Sequence, residues 1–235
     1  MITNSEIKQI RSLREKKFRD ESGLFVVEGE KMVAEALQSG LDVTNVYRVE
    51  EIGEKAMERI SLLSTPSPVL ALVRKPQYGA VKLEKMLYLG LDSVRDPGNM
   101  GTIIRIADWF GIDTIFASPD TVDVYNPKVV QATMGGIFRC KIIYTDMPAI
   151  CRRFKSEGMP VFGTFLDGDN IYESELVPEG IVVMGNESNG VGREVAVEVN
   201  SRIFIPRGNG SKAESLNVAV ATAVTLAEFN RRALK

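Results

Sequence analysis

Residues 92–105, DSVRDPGNMGTIIR, follow a short apolar run that begins at Leu87. Asp96, Pro97, Gly98 and Asn99 make a strong turn and helix-start signal, proline fixing φ and asparagine being able to cap. A helix is predicted to begin near Gly101, with Ile103, Ile106, Ala107 and Phe110 as its apolar stripe. At 100° per residue Arg105 projects away from that stripe. A solvated helical arginine is the ordinary reading of such a position.

Outward from this stretch, strands are predicted near residues 87–92, 114–117, 142–144, 161–165, 181–184 and 202–205, with helices between most of them. Short apolar runs without clean alternation indicate an α/β fold with a parallel sheet covered on both faces. Ligands in such sheets bind beyond the carboxyl ends of strands, which directs attention to the loops after Asp92, Met184 and Ile205. The second loop, residues 183–192, reads VMGNESNGVG; its glycines let backbone approach a ligand closely, and Glu187 is a carboxylate at a strand end. Val191 and Gly192 stand where a P-loop needs Lys and Ser/Thr, and neither glycine cluster has a GxGxxG spacing. The third loop, residues 205–217, reads IPRGNGSKAESLN. Ser215 and Asn217 have the ordinary reading of caps. The segment that follows, residues 216–229, is apolar on nearly all sides and must be buried in the core or at a subunit interface.

Ahead of this sheet lies a second α/β pattern. Lys8, Arg11, Arg14, Lys16, Lys17 and Arg19 outnumber Glu6, Glu15 and Asp20, and Ile7, Ile10, Leu13 and Phe18 recur near helical spacing, giving an amphipathic helix with a basic outer face. Strands at residues 24–28, 43–49 and 69–73 and helices at 30–38 and 54–63 complete a compact module. The polar connection 75–85, with Pro76 and Gly79, separates a domain of residues 1–78 from one of residues 86–235.

Composition narrows the chemistry. The 235 residues are 44% hydrophobic and 26% charged, as a globular protein requires, and include no histidine. Ser-His-Asp and Cys-His catalysis, HExxH zinc sites and histidine bases are therefore excluded. Cys140 and Cys151 are too few for a disulfide framework and lack paired metal-ligand spacing, so they are read as buried thiols, with no metal site. A formal net charge of -2 offers no global footprint for nucleic acid. The local basic cluster at Arg11, Arg14, Lys16 and Lys17 offers a candidate nucleic-acid contact instead, with an ordinary solvated helix as the equal alternative. The N-terminus lacks the apolar core of a signal peptide, and residues 216–229 are too short and too polar to span a membrane. The expected location is cytoplasmic.

In order and in detail, D92SVRDPGNMGTIIR105, V183MGNESNGVG192, and I205P206 with S215LNVAVA221 resemble the three signature motifs of SpoU (TrmH) RNA 2'-O-methyltransferases, a branch of the SPOUT superfamily. The resemblance covers residues 87 to 235. The segment F25VVEGEKMVAEAL37 resembles the substrate-binding domain of the rRNA-modifying members, related to L30e/L7Ae folds. That second likeness favours rRNA over tRNA as the substrate.

The resemblance implies a parallel sheet whose C-terminal chain forms a deep trefoil knot, preceded by the small L30e/L7Ae-like domain. It implies S-adenosylmethionine as cofactor, held largely by backbone at Gly185, Ile205 and Leu216, with Thr164 as a further contact. Arg105 is implied as the group that removes the proton of the ribose hydroxyl or stabilises the developing alkoxide; Asn99, Glu187, Ser215 and Asn217 complete the catalytic set. Relatives are dimers with active sites at the subunit interface, so a homodimer is expected. The target 2'-hydroxyl exists in RNA and not in DNA. A tRNA methyltransferase and a non-catalytic RNA-binding protein that kept the fold are the alternatives. A nucleotide-dependent oxidoreductase is disfavoured by the missing glycine fingerprint. One departure from the pattern stands out: Ile205-Pro206 is commonly followed by methionine, whereas here Arg207 follows and residues 208–214 lengthen the connection.

Overall fold

Two separate sheets form in the computed structural model, which describes residues 2–234. In chain order the elements are α1 (Asn4–Ser12), α2 (Lys16–Ser22), β1 (Leu24–Glu28), α3 (Glu30–Gln38), β2 (Val43–Arg48), α4 (Val49–Ile52), α5 (Glu54–Ile60), β3 (Val69–Arg74), β4 (Leu87–Leu91), α6 (Pro97–Trp109) and β5 (Thr114–Ala117). There follow α7 (Pro127–Thr133), β6 (Lys141–Tyr144), α8 (Met147–Ser156), β7 (Val161–Asn170), β8 (Gly180–Met184), α9 (Arg193–Ala196), β9 (Ser201–Phe204) and α10 (Val218–Ala233).

The first unit comprises Met1–Tyr78 together with Asp123–Arg139. Its sheet has the order β1-β3-β2 with antiparallel pairing. The basic N-terminal helix expected as one piece is two, because the chain turns at residues 13–15. Arg19 explains the turn and is not on the outer face. Its guanidinium is only 2% exposed. Nη1 donates to the carbonyls of Leu13 and Arg14, each at 2.8 Å, while Nε and Nη2 reach Asp123 Oδ2 at 3.0 and 2.6 Å. Arg11, Arg14, Lys16 and Lys17 are exposed.

Asp123 belongs to a segment that sequence reading groups with the later strands, yet α7 packs on β1 and Tyr125 packs against Phe25, the rings tilted with centroids 4.7 Å apart. Val129 and Val130 of α7 are buried. Deleting residues 1–78 removes β1, uncovers these valines and leaves Asp123 without its guanidinium, so the truncated chain is expected to be poorly soluble. Expression of residues 79–235 with and without Asp123–Arg139 replaced by a short polar linker checks this: the linker version should be the more soluble and the more resistant to protease.

The second unit comprises Gly79–Val122 and Cys140–Lys235. Its six strands run parallel in the order β6-β5-β4-β8-β7-β9. Every residue of β5 and β8 is buried, as a sheet covered on both faces requires. Because all strands point the same way, the loops after β4, β7, β8 and β9 emerge at one edge. The chain passes from β4 to β5 on one side, and β8 returns on the other, a topological switch point where a crevice opens.

Helix α6 starts four residues earlier than predicted, because Asp96 is its cap: Oδ1 accepts from Asn99 N at 2.7 Å, with Pro97 at the first helical position. The Asn99 side chain is thereby released from capping. On α10, Leu226 is 1% exposed and Phe229 lies edge-on to Phe162 at 4.9 Å. The core of this unit therefore accounts for one side of the apolar helix, while Val220 and Ala227 on the other side are exposed. Both cysteines are buried. No helix among the described residues is long and apolar enough to cross a membrane.

Candidate active site

At the carboxyl edge of the parallel sheet the loops after β4, β8 and β9 are tied together by side-chain amides. Asn99 Nδ2 donates to Glu187 Oε1 at 2.9 Å, and Asn99 Oδ1 accepts from Asn217 Nδ2 at 2.8 Å. Asn217 Oδ1 meanwhile caps α10, accepting from Ala219 N and Val220 N. It is both a cap and a strut, so the ordinary reading of this residue as a cap holds, and its amide nitrogen adds a tie to Asn99. Asn186 Nδ2 donates to Ser93 O at 2.8 Å and to Glu187 Oε2 at 3.3 Å. Both oxygens of Glu187 are thus engaged by side-chain amides, which fix its orientation.

Ser93 carries an unusual backbone, with φ at +61°. Three bonds hold it there: its N–H donates to Ser118 Oγ at 2.8 Å, its hydroxyl to Asp120 Oδ2 at 2.6 Å, and its carbonyl accepts from Asn186. The hydroxyls of Ser93 and Ser118 hold the Asp120 carboxyl down at about 2, with Arg95 adding to the effect. Asp92, the last sheet-edge carboxylate before the turn, accepts from Gly192 N at 2.6 Å. Burial raises its pKa above the ordinary value, and the Asp120 charge pushes the same way against the Gly192 bond.

The second loop is a small hairpin. Asn186 and Gly190 exchange backbone hydrogen bonds at 2.9 Å, and Asn186 Oδ1 accepts from Ser188 N and Asn189 N. Gly185 enters it so closely that an added Cβ would lie 2.1 Å from Gly190 C and 2.2 Å from Val191 N. Only glycine fits there.

Beside this hairpin is a cavity of about 930 Å³, inside the roughly 300–1,000 Å³ range of small-molecule sites. Thr164, Gly185, Ile205 and Leu216, the four residues assigned to the cofactor, all line it, as do Glu187 and Ser215. Asn99 and Asn217 stand behind the lining, connected to it through Glu187. Arg105 is not in the lining. It lies on the exposed face of α6, where Thr102 and Trp109 are its exposed neighbours at i−3 and i+4. Sequence reading did not find Asn186, Ser93, Ser118 and Asp120; a bond that depends on a positive φ at a serine leaves no pattern in sequence.

A crevice at the switch point of a parallel sheet, walled by a glycine hairpin and braced by asparagines and one carboxylate, defines a small-molecule-binding α/β enzyme. Residues 86–227 match the SpoU rRNA Methylase family, and residues 4–61 match the MRM3-like substrate binding domain. The chain belongs to the SpoU family. It is 30% identical over 237 residues to the Bacillus subtilis (strain 168) 23S rRNA (guanosine(2553)-2'-O)-methyltransferase RlmP, with 94% of each chain covered. Among solved structures it resembles a TrmH-family protein from Porphyromonas gingivalis, with 37% identity, TM-score 0.91 and 99% of each chain covered. It also resembles an AdoMet-bound rRNA methyltransferase from Sinorhizobium meliloti, with 32% identity and TM-score 0.89, covering 100% of this chain and 97% of that one.

Proposed function

We propose that this protein is a methyltransferase that uses S-adenosylmethionine to methylate a ribose 2'-hydroxyl of large-subunit (23S) rRNA, in the cytoplasm. The observation that carries the reading is the cavity itself. Its lining combines apolar walls at Ile203, Ile205 and Leu216 with the polar hairpin that follows Gly185, which suits a flat nucleoside with a hydrogen-bonding edge. The cofactor supplies a methyl group already activated on a sulfonium, so the protein has to align the ribose oxygen and handle its charge.

Arg105 is assigned to that oxygen. A neutral arginine at pH 7 costs on the order of 8 kcal/mol, so the guanidinium acts as a cation that stabilises the alkoxide as it develops. Asn99, Glu187 and Asn217 are positioning residues, and Ser215 sits at the rim. Arg11 and Arg14 are the stronger candidates for RNA phosphates. Lys16 is paired with Asp20 at 2.6 Å, and Lys17 lies 3.9 Å from Glu21.

The working unit is a homodimer. Trp109 is 83% exposed and shares one face of α6 with Arg105, so a second copy that covers the tryptophan also brings Arg105 to a subunit boundary. Leu226, buried within its own unit, is no probe of that boundary. Trp109→Glu is: the variant should stay folded, sediment as a monomer and lose methyl transfer. A wild type that sediments as an active monomer at micromolar concentration overturns the dimer.

The function is tested by incubating the protein with S-adenosylmethionine and either protein-free 23S rRNA, a tRNA pool or DNA, followed by mapping of 2'-O-methyl sites. A single new site in 23S rRNA is expected. Methylation confined to tRNA would replace the substrate assignment, and cofactor binding without transfer to any RNA would refute the enzyme.

A further inference from the structure

Arg207, in the loop after β9, lines the cavity. We propose that Arg207 binds the carboxylate at the amino-acid end of S-adenosylmethionine, an assignment that rests on the function proposed above. Among the described residues that line the cavity, Arg207 is the one cation, and Glu187 and Glu214 are the acids. The cofactor has the complementary pattern: two positive centres, the sulfonium and the ammonium, and one carboxylate. Nothing else in the lining offers that carboxylate a charge.

The side chain is exposed and is held by one guanidinium nitrogen without being used up. Arg207 Nη1 donates to Ala213 O at 2.9 Å, and no ion pair engages the guanidinium among the described residues. With one N–H taken, four of the five donors of a guanidinium remain for a fork-shaped contact with a carboxylate. The bond to Ala213 also closes the connection into a ring, within which Ser211 N donates to Gly208 O at 3.1 Å. Residues 208–214 act in this reading as a staple that keeps the guanidinium against the cavity.

Two ligands separate this role from any other. S-adenosylhomocysteine keeps the amino-acid end, and 5'-methylthioadenosine keeps the nucleoside and the sulfur without it. Titration calorimetry of the full-length wild type and Arg207→Gln with both ligands should show S-adenosylhomocysteine weakened on the order of tenfold in the variant, with methylthioadenosine unchanged. Arg207→Lys should recover part of the loss, since it restores the charge without the fork. Equal weakening of both ligands, or of neither, overturns the assignment, as does a variant whose only defect is in RNA affinity, which would make Arg207 a phosphate contact. A wild type that binds neither ligand would instead overturn the proposed methyltransferase function, and this assignment with it.

Discussion

Replacing Arg105 with alanine is expected to slow single-turnover methyl transfer by roughly a hundred- to ten-thousandfold while cofactor affinity stays within a few-fold. The two readouts part because Arg105 lies outside the cavity lining and is exposed on α6, so its loss disturbs neither the cavity walls nor the core. Arg105→Lys should fail nearly as badly, because a point charge on a flexible stem does not reproduce a planar fork. Quench-flow with labelled cofactor and saturating RNA gives the rate, and calorimetry gives the affinity. A near-normal single-turnover rate in the alanine variant would remove Arg105 from the chemistry.

The second large effect is expected at Gly185. A methyl group there meets the backbone of Gly190 and Val191 at 2.1–2.2 Å, and backbone cannot swing aside as a side chain can. The hairpin has to move by more than an ångström, and it is one wall of the cavity. Overpacking costs about 1–3 kcal/mol, which corresponds to about 5- to 150-fold weaker binding of S-adenosylmethionine by Gly185→Ala when the strain is relieved at the expense of the site. Gly208 lines the same cavity, but an added Cβ there has nothing within 4 Å. Gly208→Ala is therefore the matched control and should bind as the wild type does. Equal affinities for the two variants would mean that the hairpin is not part of the cofactor wall.

Much of this architecture is legible in the sequence because period and punctuation agree. The buried strands β4, β5 and β8 read as short apolar runs, and a parallel sheet tells the reader which loops to inspect. Legibility fails where one residue has two possible jobs. Asn99 reads as a helix cap, but Asp96 caps α6 instead, and only that substitution of roles frees the Asn99 amide to join Glu187 to Asn217. Arg19 reads as one more surface charge in a basic helix, but its partners are carbonyls at residues 13 and 14 and a carboxylate 104 residues away, a distance no local pattern encodes. The left-handed Ser93 is invisible for a similar reason. Serine carries no preference for positive φ, and the conformation is imposed by Ser118, Asp120 and Asn186 from other segments.

The return of Asp123–Arg139 to the first unit also sets an order of events during translation. Residues 1–78 leave the ribosome first, but α7, which covers β1, is encoded only after Gly79–Val122 has been made. At roughly 5–20 residues per second, those intervening residues impose a wait of several seconds. Throughout it, Phe25 lacks its ring contact with Tyr125, and Arg19 lacks the carboxylate that lets its charge be buried. The N-terminal unit is therefore born incomplete, and the nascent chain carries an uncovered strand that chaperones can engage until residue 139 has emerged.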